Sequence, residues 1–592
     1  MTTKHNMLEK IEKKMSIITA IHDYVSSVLN RVPGMKILLV DAETVGIVSM
    51  VMSQSQILEQ EVFLVEVVDK VVSGDVDANQ VNSMKHLKAV SILRPTTANF
   101  LFLTKELSTP RFSEYHLFFT NLVPQNRLEQ LAGCDVLELV HQVQEVYADV
   151  YAVNSDLFSL NLPSTVCLTT QQSLWTSYEE AILSRIVDGI FASAISLRMH
   201  PFVRYTRTSA LCLKVATLLQ AKIDDEHILF EQLLLPPSAT SIILLLDRRD
   251  DPVTPLLNQW TYQAMCHELV GLDKNRMDLK SSPPTSLVMS PGQDSFYEEN
   301  LISNFGDLAV NIEKYLKKFQ EQTKSNSTSK LDSIEAMQSF IDSFPEFKKL
   351  GGNVSKHVSV VHELSRLVSA NNLITLSALE QEIACEDTNR ADQFKRVGFA
   401  IGDPTNSQLE KLRLVLLYSI RYPSDQSGIA QLAESLQRLG IDNSQIQLIN
   451  LLGEYANPTV PLNGSKNVFS LIRKAAGFSG IENVYTQHKS ELNAIVESFV
   501  KGRIKDTNFP YVESKRREIN IEAKSPKNAI VFVVGGTTYE EARDVKILNT
   551  QYSNTNIVLG GTTIHNSKTF LADVAQLLRI KREAGLNNTG NQ

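Results

Sequence analysis

The sequence predicts two α/β domains, the second of them interrupted by a largely helical block. Three observations carry this. Short apolar runs, "MKILLV" (Met35–Val40), "EVFLVEV" (Glu61–Val67), "AVSIL" (Ala89–Leu93) and "YHLFFT" (Tyr115–Thr120), alternate with helix-length polar-patterned stretches, the rhythm of βαβ units in a parallel sheet. Helical periodicity then dominates from about residue 250 to 480. After about residue 480 strand-like runs return, as "AIVFVV" and "NIVLG".

Element by element, the chain starts with "MTTKHNMLEKIEKKMSII", where acids interleave with lysines and no signal-peptide apolar region precedes a small-residue cleavage site. It reads as an amphipathic helix running into "SIITAIHDYVSSVL", and a cytosolic location is expected. The first α/β domain is expected over residues 1–138 and a second α/β region from about Leu139. There "SIILLLD" (Ser241–Asp247) has the length of a buried strand, far short of the roughly 20 apolar residues of a membrane span. In "TYQAMCHELVGL", Tyr262, Met265, Cys266, Leu269 and Val270 follow a single helical face. "EQTKSNSTSKLD" (Glu321–Asp332) lacks an apolar stripe and reads as a loop.

Bulk properties narrow the function. A chain of 592 residues exceeds one core and divides into about three domains. A formal net charge of -8 argues against nucleic-acid binding, which requires a basic surface. Five cysteines without a C-x-x-C pair point to a reducing compartment and to no disulfide or zinc framework.

Two stretches invite a catalytic reading. "VVGGTTYEEA" (Val533–Ala542) and "VLGGTTIHNS" (Val558–Ser567) are near-copies, each a strand, a glycine pair, two threonines and a helix start. Such turns hold phosphates in other proteins, but neither copy has the P-loop lysine. Glu540 and Glu541 stand three residues after Thr537 and Thr538, a capping-box spacing that puts carboxylates where a phosphate would sit. In "LLLDRRDDPVTPLLNQW" (Leu244–Trp260), Asp247, Asp250 and Asp251 follow a strand, as in magnesium-dependent phosphotransfer sites. Arg248 and Arg249 between them favour ion pairing instead. "HELV" at His267 and "HELSR" at His362 lack a second histidine, and "GFSG" (Gly477–Gly480) is not a nucleophile elbow. No catalytic residue, cofactor site or metal site is assigned, and an enzyme is not expected.

Taken together, "LLLDRRDDPVTPLLNQWTYQAMCHELVG" (Leu244–Gly271) and the paired glycine turns resemble the SM protein family, the syntaxin-binding regulators of SNARE-mediated membrane fusion, from about Met15 onward. "GIVSMVMSQSQIL" (Gly46–Leu58), "MKHLKAVSILRPT" (Met84–Thr96), "FKKLGGNVSKHVSVVHELSRLVS" (Phe347–Ser369) and "ENVYTQH" (Glu482–His488) resemble its trans-Golgi-network, endosome and vacuole branch. The resemblance implies a three-domain arch. Domain 1 would be residues 1–138, domain 2 residues 139–246 and 481–592, and domain 3 the inserted, largely helical residues 247–480.

It also implies a domain 1 pocket for a syntaxin N-terminal peptide, with the key apolar position on Leu128, Leu131 one turn along and an acidic position on Glu145. The i, i+3 spacing of the two leucines equally suits a helix core. In domain 3 the family's SNARE-templating hairpin would span about Leu331–Ala384, with a hinge proline at Pro345 and Val358 at a SNARE-contacting position. Val354, Val358, Val361, Leu364 and Val368 repeat at spacings of three and four, a stripe that suits either an exposed or a buried face. The implied partners are a syntaxin-type Qa-SNARE, other SNAREs including an R-SNARE, and endosomal tethering factors, with indirect membrane association. A phosphohydrolase built on Asp247, Asp250 and Asp251, or a tethering scaffold without SNARE contact, remain the alternatives.

Overall fold

The computed structural model describes residues 15–589 apart from 70–83, 163, 170–174, 236–237, 239, 281–283, 329–333, 386–388, 457–486 and 517–524. The residues before 15, "GFSG" and the end of the expected domain 3 at residue 480 lie outside the described residues. Two compact units result. One holds the chain to Asp247 with Ile495–Thr537 and Val545–Thr563; the other holds Arg248–Ala494, Thr538–Asp544 and the chain from Ile564.

The first unit contains two sheets. Its opening helix, Ile17–Arg31, is capped by Ser16 and buries Ile17, Ile21, Val25 and Val28, the stripe expected of "SIITAIHDYVSSVL". The first sheet takes β1 (Lys36–Val40), β2 (Val62–Val67), β3 (Lys88–Leu93), β4 (Glu114–Phe119) and β5 (Val140–Glu145) in the order β2-β1-β3-β4-β5. Every pairing is parallel. Ile37 to Val40 are fully buried because a parallel sheet is covered on both faces. β5 pairs with β4, so the first sheet extends beyond the expected boundary at residue 138. Its sequence, "VHQVQE", is half-polar because it is an edge strand, and so it carried no apolar-run signal.

The second sheet begins with β6 (Tyr151–Asn154), β7 (Leu157–Ser159), β8 (Phe202–Tyr205) and β9 (Ser241–Asp247). After a separate antiparallel hairpin of β10 (Arg276–Leu279) and β11 (Thr285–Val288), it is completed by β12 (Asn528–Val534) and β13 (Asn556–Gly561). The order is β6-β7-β13-β12-β9-β8, so strands far apart in sequence share one sheet and the helical block is an insertion between β9 and β12. Fully buried Asp149, on the link between the sheets, accepts from Arg94 Nε (2.9 Å) and Asn121 Nδ2 (2.9 Å) and pairs with Arg185 (3.4 Å).

The second unit is mainly helical. At its centre the buried Arg413 guanidinium pairs with Glu380 (3.2 Å) and Glu410 (3.3 Å), and its Nε donates to the Leu256 carbonyl (2.8 Å). Asn258 joins the same network through Glu380 (2.9 Å). The C-terminal helix, Ser567–Thr589, packs on the helix Leu448–Tyr455, so this segment of the expected domain 2 belongs to the helical unit. A long hairpin is formed by a first arm, Phe305–Thr328, and a second arm, Ile334–Ala370. Residues 321–328 therefore continue a helix where a loop was expected. An established helix propagates by adding one backbone hydrogen bond per residue, so the missing apolar stripe did not mark its end.

Candidate functional site

The paired glycine turns are filled by the protein itself. Gly535 and Gly536 both have φ +96°, a region open to glycine. Thr538 and Glu541 form the reciprocal cap: the Thr538 N–H donates to Glu541 Oε2 (2.8 Å) and the Glu541 N–H to Thr538 Oγ1 (3.2 Å). Glu541 Oε1 accepts from Arg248 Nη1 at 2.7 Å. At the second copy, the Ser567 N–H donates to Glu268 Oε2 (2.9 Å), so a carboxylate also occupies that helix start. The turns bond to each other, Thr537 N–H donating to the Thr563 carbonyl at 3.0 Å. A Cβ on Gly561 would fall within 2.9 Å of Thr537 N, and one on Gly560 within 2.3 Å of the Phe158 ring. Close packing, not a phosphate, calls for these glycines.

The aspartate cluster is likewise engaged. Asp247 accepts from Ser209 Oγ (2.5 Å). Asp250 ends the short turn Arg248–Asp250. Asp251 pairs with Arg248 (3.4 Å) and accepts from the Val253 (3.1 Å) and Thr254 (3.0 Å) N–H groups, capping the next turn. Burial would raise its pKa, but Arg248, His488 and the Thr254 hydrogen bonds hold it below the usual carboxylate range. Among the described residues no three acidic, histidine or cysteine side chains are grouped to hold a metal ion.

In the first unit, the helix Gln125–Cys134 starts after Pro124, which stands at its N-cap in extended conformation. Leu128 is 37% exposed, whereas Leu131 is buried in the first sheet's core with Leu117, Phe119 and Phe100. The two leucines thus divide the alternatives: the core reading holds for Leu131 and leaves Leu128 at the surface. Val136 (84% exposed), Leu137 (63% exposed) and Val143 on β5 add apolar surface along the same helix–loop–edge-strand segment. Sequence reasoning missed them, although apolar residues in the turn-forming "CDVLEL" were a visible signal. Glu145 is an internal brace. Its Oε1 accepts from the Val123 N–H (2.7 Å), fixing the approach to the helix, and its Oε2 from the Tyr147 hydroxyl (2.8 Å).

In the second unit, the expected hairpin span Leu331–Ala384 holds one long helix and most of a shorter one packed on it, and the long helix also packs on the helix before it. These are Ile334–Ala370, Leu373–Cys385 and, before them, Phe305–Thr328, and Leu331 lies outside the described residues. Pro345 lies within the second arm, which is helical from Ile334 to Ala370; proline there removes one backbone donor from the ladder. The expected stripe is split. Val354, Leu364 and Val368 are buried, but so are His357 and Val360, while Val358 is 39% exposed and Val361 half-buried. The arm is rotated so that Val358 and Val361 flank, rather than belong to, the buried stripe.

The sequence pattern of the Sec1 family matches residues 36–573. Vacuolar protein sorting-associated protein 45 homolog of Arabidopsis thaliana is 39% identical over 582 residues, covering 96% of this chain and 99% of that protein. Its Homo sapiens relative, vacuolar protein sorting-associated protein 45, is 38% identical over 574 residues, covering 95% of this chain and 96% of that protein. A solved structure of the SM protein Vps45 in complex with the Qa SNARE Tlg2 superposes with a TM-score of 0.83 at 37% identity, covering 95% of this chain and 98% of that one.

Proposed function

Since the chain belongs to the Sec1 family of SM proteins, we propose that it is a SNARE-assembly chaperone that binds a syntaxin-type Qa-SNARE and promotes vesicle fusion on the trans-Golgi, endosomal or vacuolar route. The observation that carries this is its likeness, over nearly its whole length, to a relative solved with a Qa SNARE bound. The work is mechanical and makes no covalent bond. SNARE helices must find parallel register before zippering, and long heptad seams admit wrong registers. Holding one helix while offering a face to another lowers the entropic cost of alignment, and a second contact through the syntaxin N-terminal peptide raises the effective concentration.

The peptide site in this proposal is the exposed apolar segment of Leu128, Val136 and Leu137, with Leu131 and Glu145 supporting it from within. Val358 and Val361 supply the SNARE-facing side of the second arm. Domain 1 runs through Glu145, domain 2 is the second sheet with its covering helices, and domain 3 is the inserted helical block. Further SNAREs, an R-SNARE among them, and endosomal tethering factors are the other partners. Among the described residues no helix is long and apolar enough to cross a membrane, so attachment through the SNAREs themselves fits.

The test uses Leu128→Arg. Because Leu128 is exposed, the fold survives, and calorimetry with a synthetic N-terminal peptide of an endosomal Qa-SNARE reports loss of a hot-spot contact, about 2 kcal/mol or roughly thirtyfold in Kd. Val358→Asp slows SNARE assembly while peptide affinity holds. Unchanged affinity in Leu128→Arg removes the pocket, and unchanged assembly in Val358→Asp removes the templating face.

A further inference from the structure

One of the buried polar clusters of the helical unit lies on the second arm itself, and the proposed function does not use it. His357, in the second arm, is fully buried beside the exposed Val358. Its Nδ1 lies 2.8 Å from the Tyr262 hydroxyl and its Nε2 lies 2.9 Å from Asp294 Oδ2. A neutral imidazole has one N–H and one acceptor nitrogen. The Asp294 carboxylate only accepts, so Nε2 carries the hydrogen and Nδ1 accepts from the Tyr262 O–H. One tautomer satisfies all three groups. Burial lowers the His357 pKa despite the neighbouring carboxylate. Asp294 is held at about 2 by His357 and Lys356, against the burial that would raise it. At neutral pH the pair is therefore imidazole and carboxylate.

The cluster is tied to both arms. Asp294 Oδ2 also pairs with Lys356, while Oδ1 accepts from the Tyr297 N–H (3.1 Å) and caps the helix Ser295–Asn300. The Phe296 ring lies 4.7 Å from the His357 ring and stacks at 4.5 Å on Tyr315 of the first arm. Successive helix residues are separated by about 100°. With Lys356 and His357 both drawn to Asp294, the next residue, Val358, is carried round to the surface. Turning the arm to bury Val358 would take His357 away from the Tyr262 hydroxyl and would strip Asp294 Oδ2 of both its arm partners, leaving that carboxylate only the Tyr297 N–H on Oδ1.

We infer that the Tyr262–His357–Asp294 relay is a positioning device that sets the rotational phase of the second arm and so keeps Val358 on the face offered to a SNARE helix. The inference rests on the templating role proposed for Val358.

Peptide-resolved thiol labelling of the full chain tests it, with Val358→Cys and Val360→Cys as reporters of the exposed and buried faces. In the parent background the Val358→Cys thiol reacts faster than the Val360→Cys thiol by about tenfold or more. His357→Leu collapses that ratio toward one and slows SNARE assembly, with affinity for the Qa-SNARE N-terminal peptide unchanged. His357→Gln, which keeps a donor and an acceptor on one side chain, restores both. Should His357→Leu fail to fold, Tyr262→Phe deletes a single hydroxyl and shifts the ratio in the same direction. A ratio untouched by either variant overturns the relay even where Val358→Asp still blocks assembly. If Val358→Asp leaves assembly intact, the templating face fails while the labelling ratio still decides the phase.

Discussion

Replacing Gly560 with alanine separates the two meanings of the glycine turns. Gly560 lies in β13, facing Phe532 of β12 and Phe158 of β7 across the sheet. The added methyl would lie 2.3 Å from Phe158 Cζ and 2.7 Å from both Cε atoms. Carbon contacts are comfortable at about 3.5–4.0 Å, so the ring would have to retreat by roughly 1 Å. It has little room: Phe158 is fully buried and packs on Phe532 with centroids 6.0 Å apart. Overpacking of this kind costs about 1–3 kcal/mol, and the reduced freedom of the unfolded chain returns about 0.4–1 kcal/mol. The two terms leave a net loss centred on about 1 kcal/mol and reaching about 2.6 kcal/mol at most. Guanidinium denaturation measures it, with hydrogen exchange of the β12 and β13 amides placing the loss in the second sheet. Phe158→Leu makes room for the methyl, so the double variant recovers part of the loss, a coupling of about 1 kcal/mol in the cycle. A neutral Gly560→Ala with no coupling to Phe158 would refute the packing argument and reopen a ligand role for these turns.

Two further predictions concern buried charge in the helical unit. Arg248→Met leaves the Glu541 and Asp251 carboxylates without their cation and costs about 3–5 kcal/mol; adding Glu541→Gln restores part of it, and a loss in denaturation free energy under about 1 kcal/mol would show the pair is dispensable. Burial, with Asp251 and Asp250 nearby, pushes half-buried Glu491 up to about 7 from its ordinary 4.5. A raised acid favours the fold below its unfolded pKa, and that contribution is lost as pH rises from 4.5 through 7. Glu491→Gln therefore flattens the fall in unfolding free energy from urea denaturation across this window by about 1–2 kcal/mol, discounted for partial exposure; an identical slope in both proteins would count against it.

What was legible in the sequence was whatever a strand or helix decides locally. β1, β9 and β12 are buried on both faces, so their residues form uninterrupted apolar runs, and the same-face periodicity of "SIITAIHDYVSSVL" gave its helix. β5 escaped because an edge strand is half-polar, and so the first sheet runs past residue 138 without an apolar run to show it. The Thr538–Glu541 cap was readable from a three-residue spacing. The phase of the second arm was not. Valines at 354, 358, 360, 361 and 368 support more than one apolar stripe, and the tie is broken by His357, a residue that composition assigns to the surface. It is buried only because Tyr262 and Asp294, 95 and 63 residues away, satisfy its two nitrogens. Arg248 is the same case, with Glu541 293 residues distant. Burial of a polar side chain is thus a property of a pair, and pattern reads single positions. Where a buried polar residue on a helix is matched by such distant partners, as His357 is while its neighbour Val358 stays exposed, local sequence narrows the residues to one helix but leaves the choice between its faces to the fold.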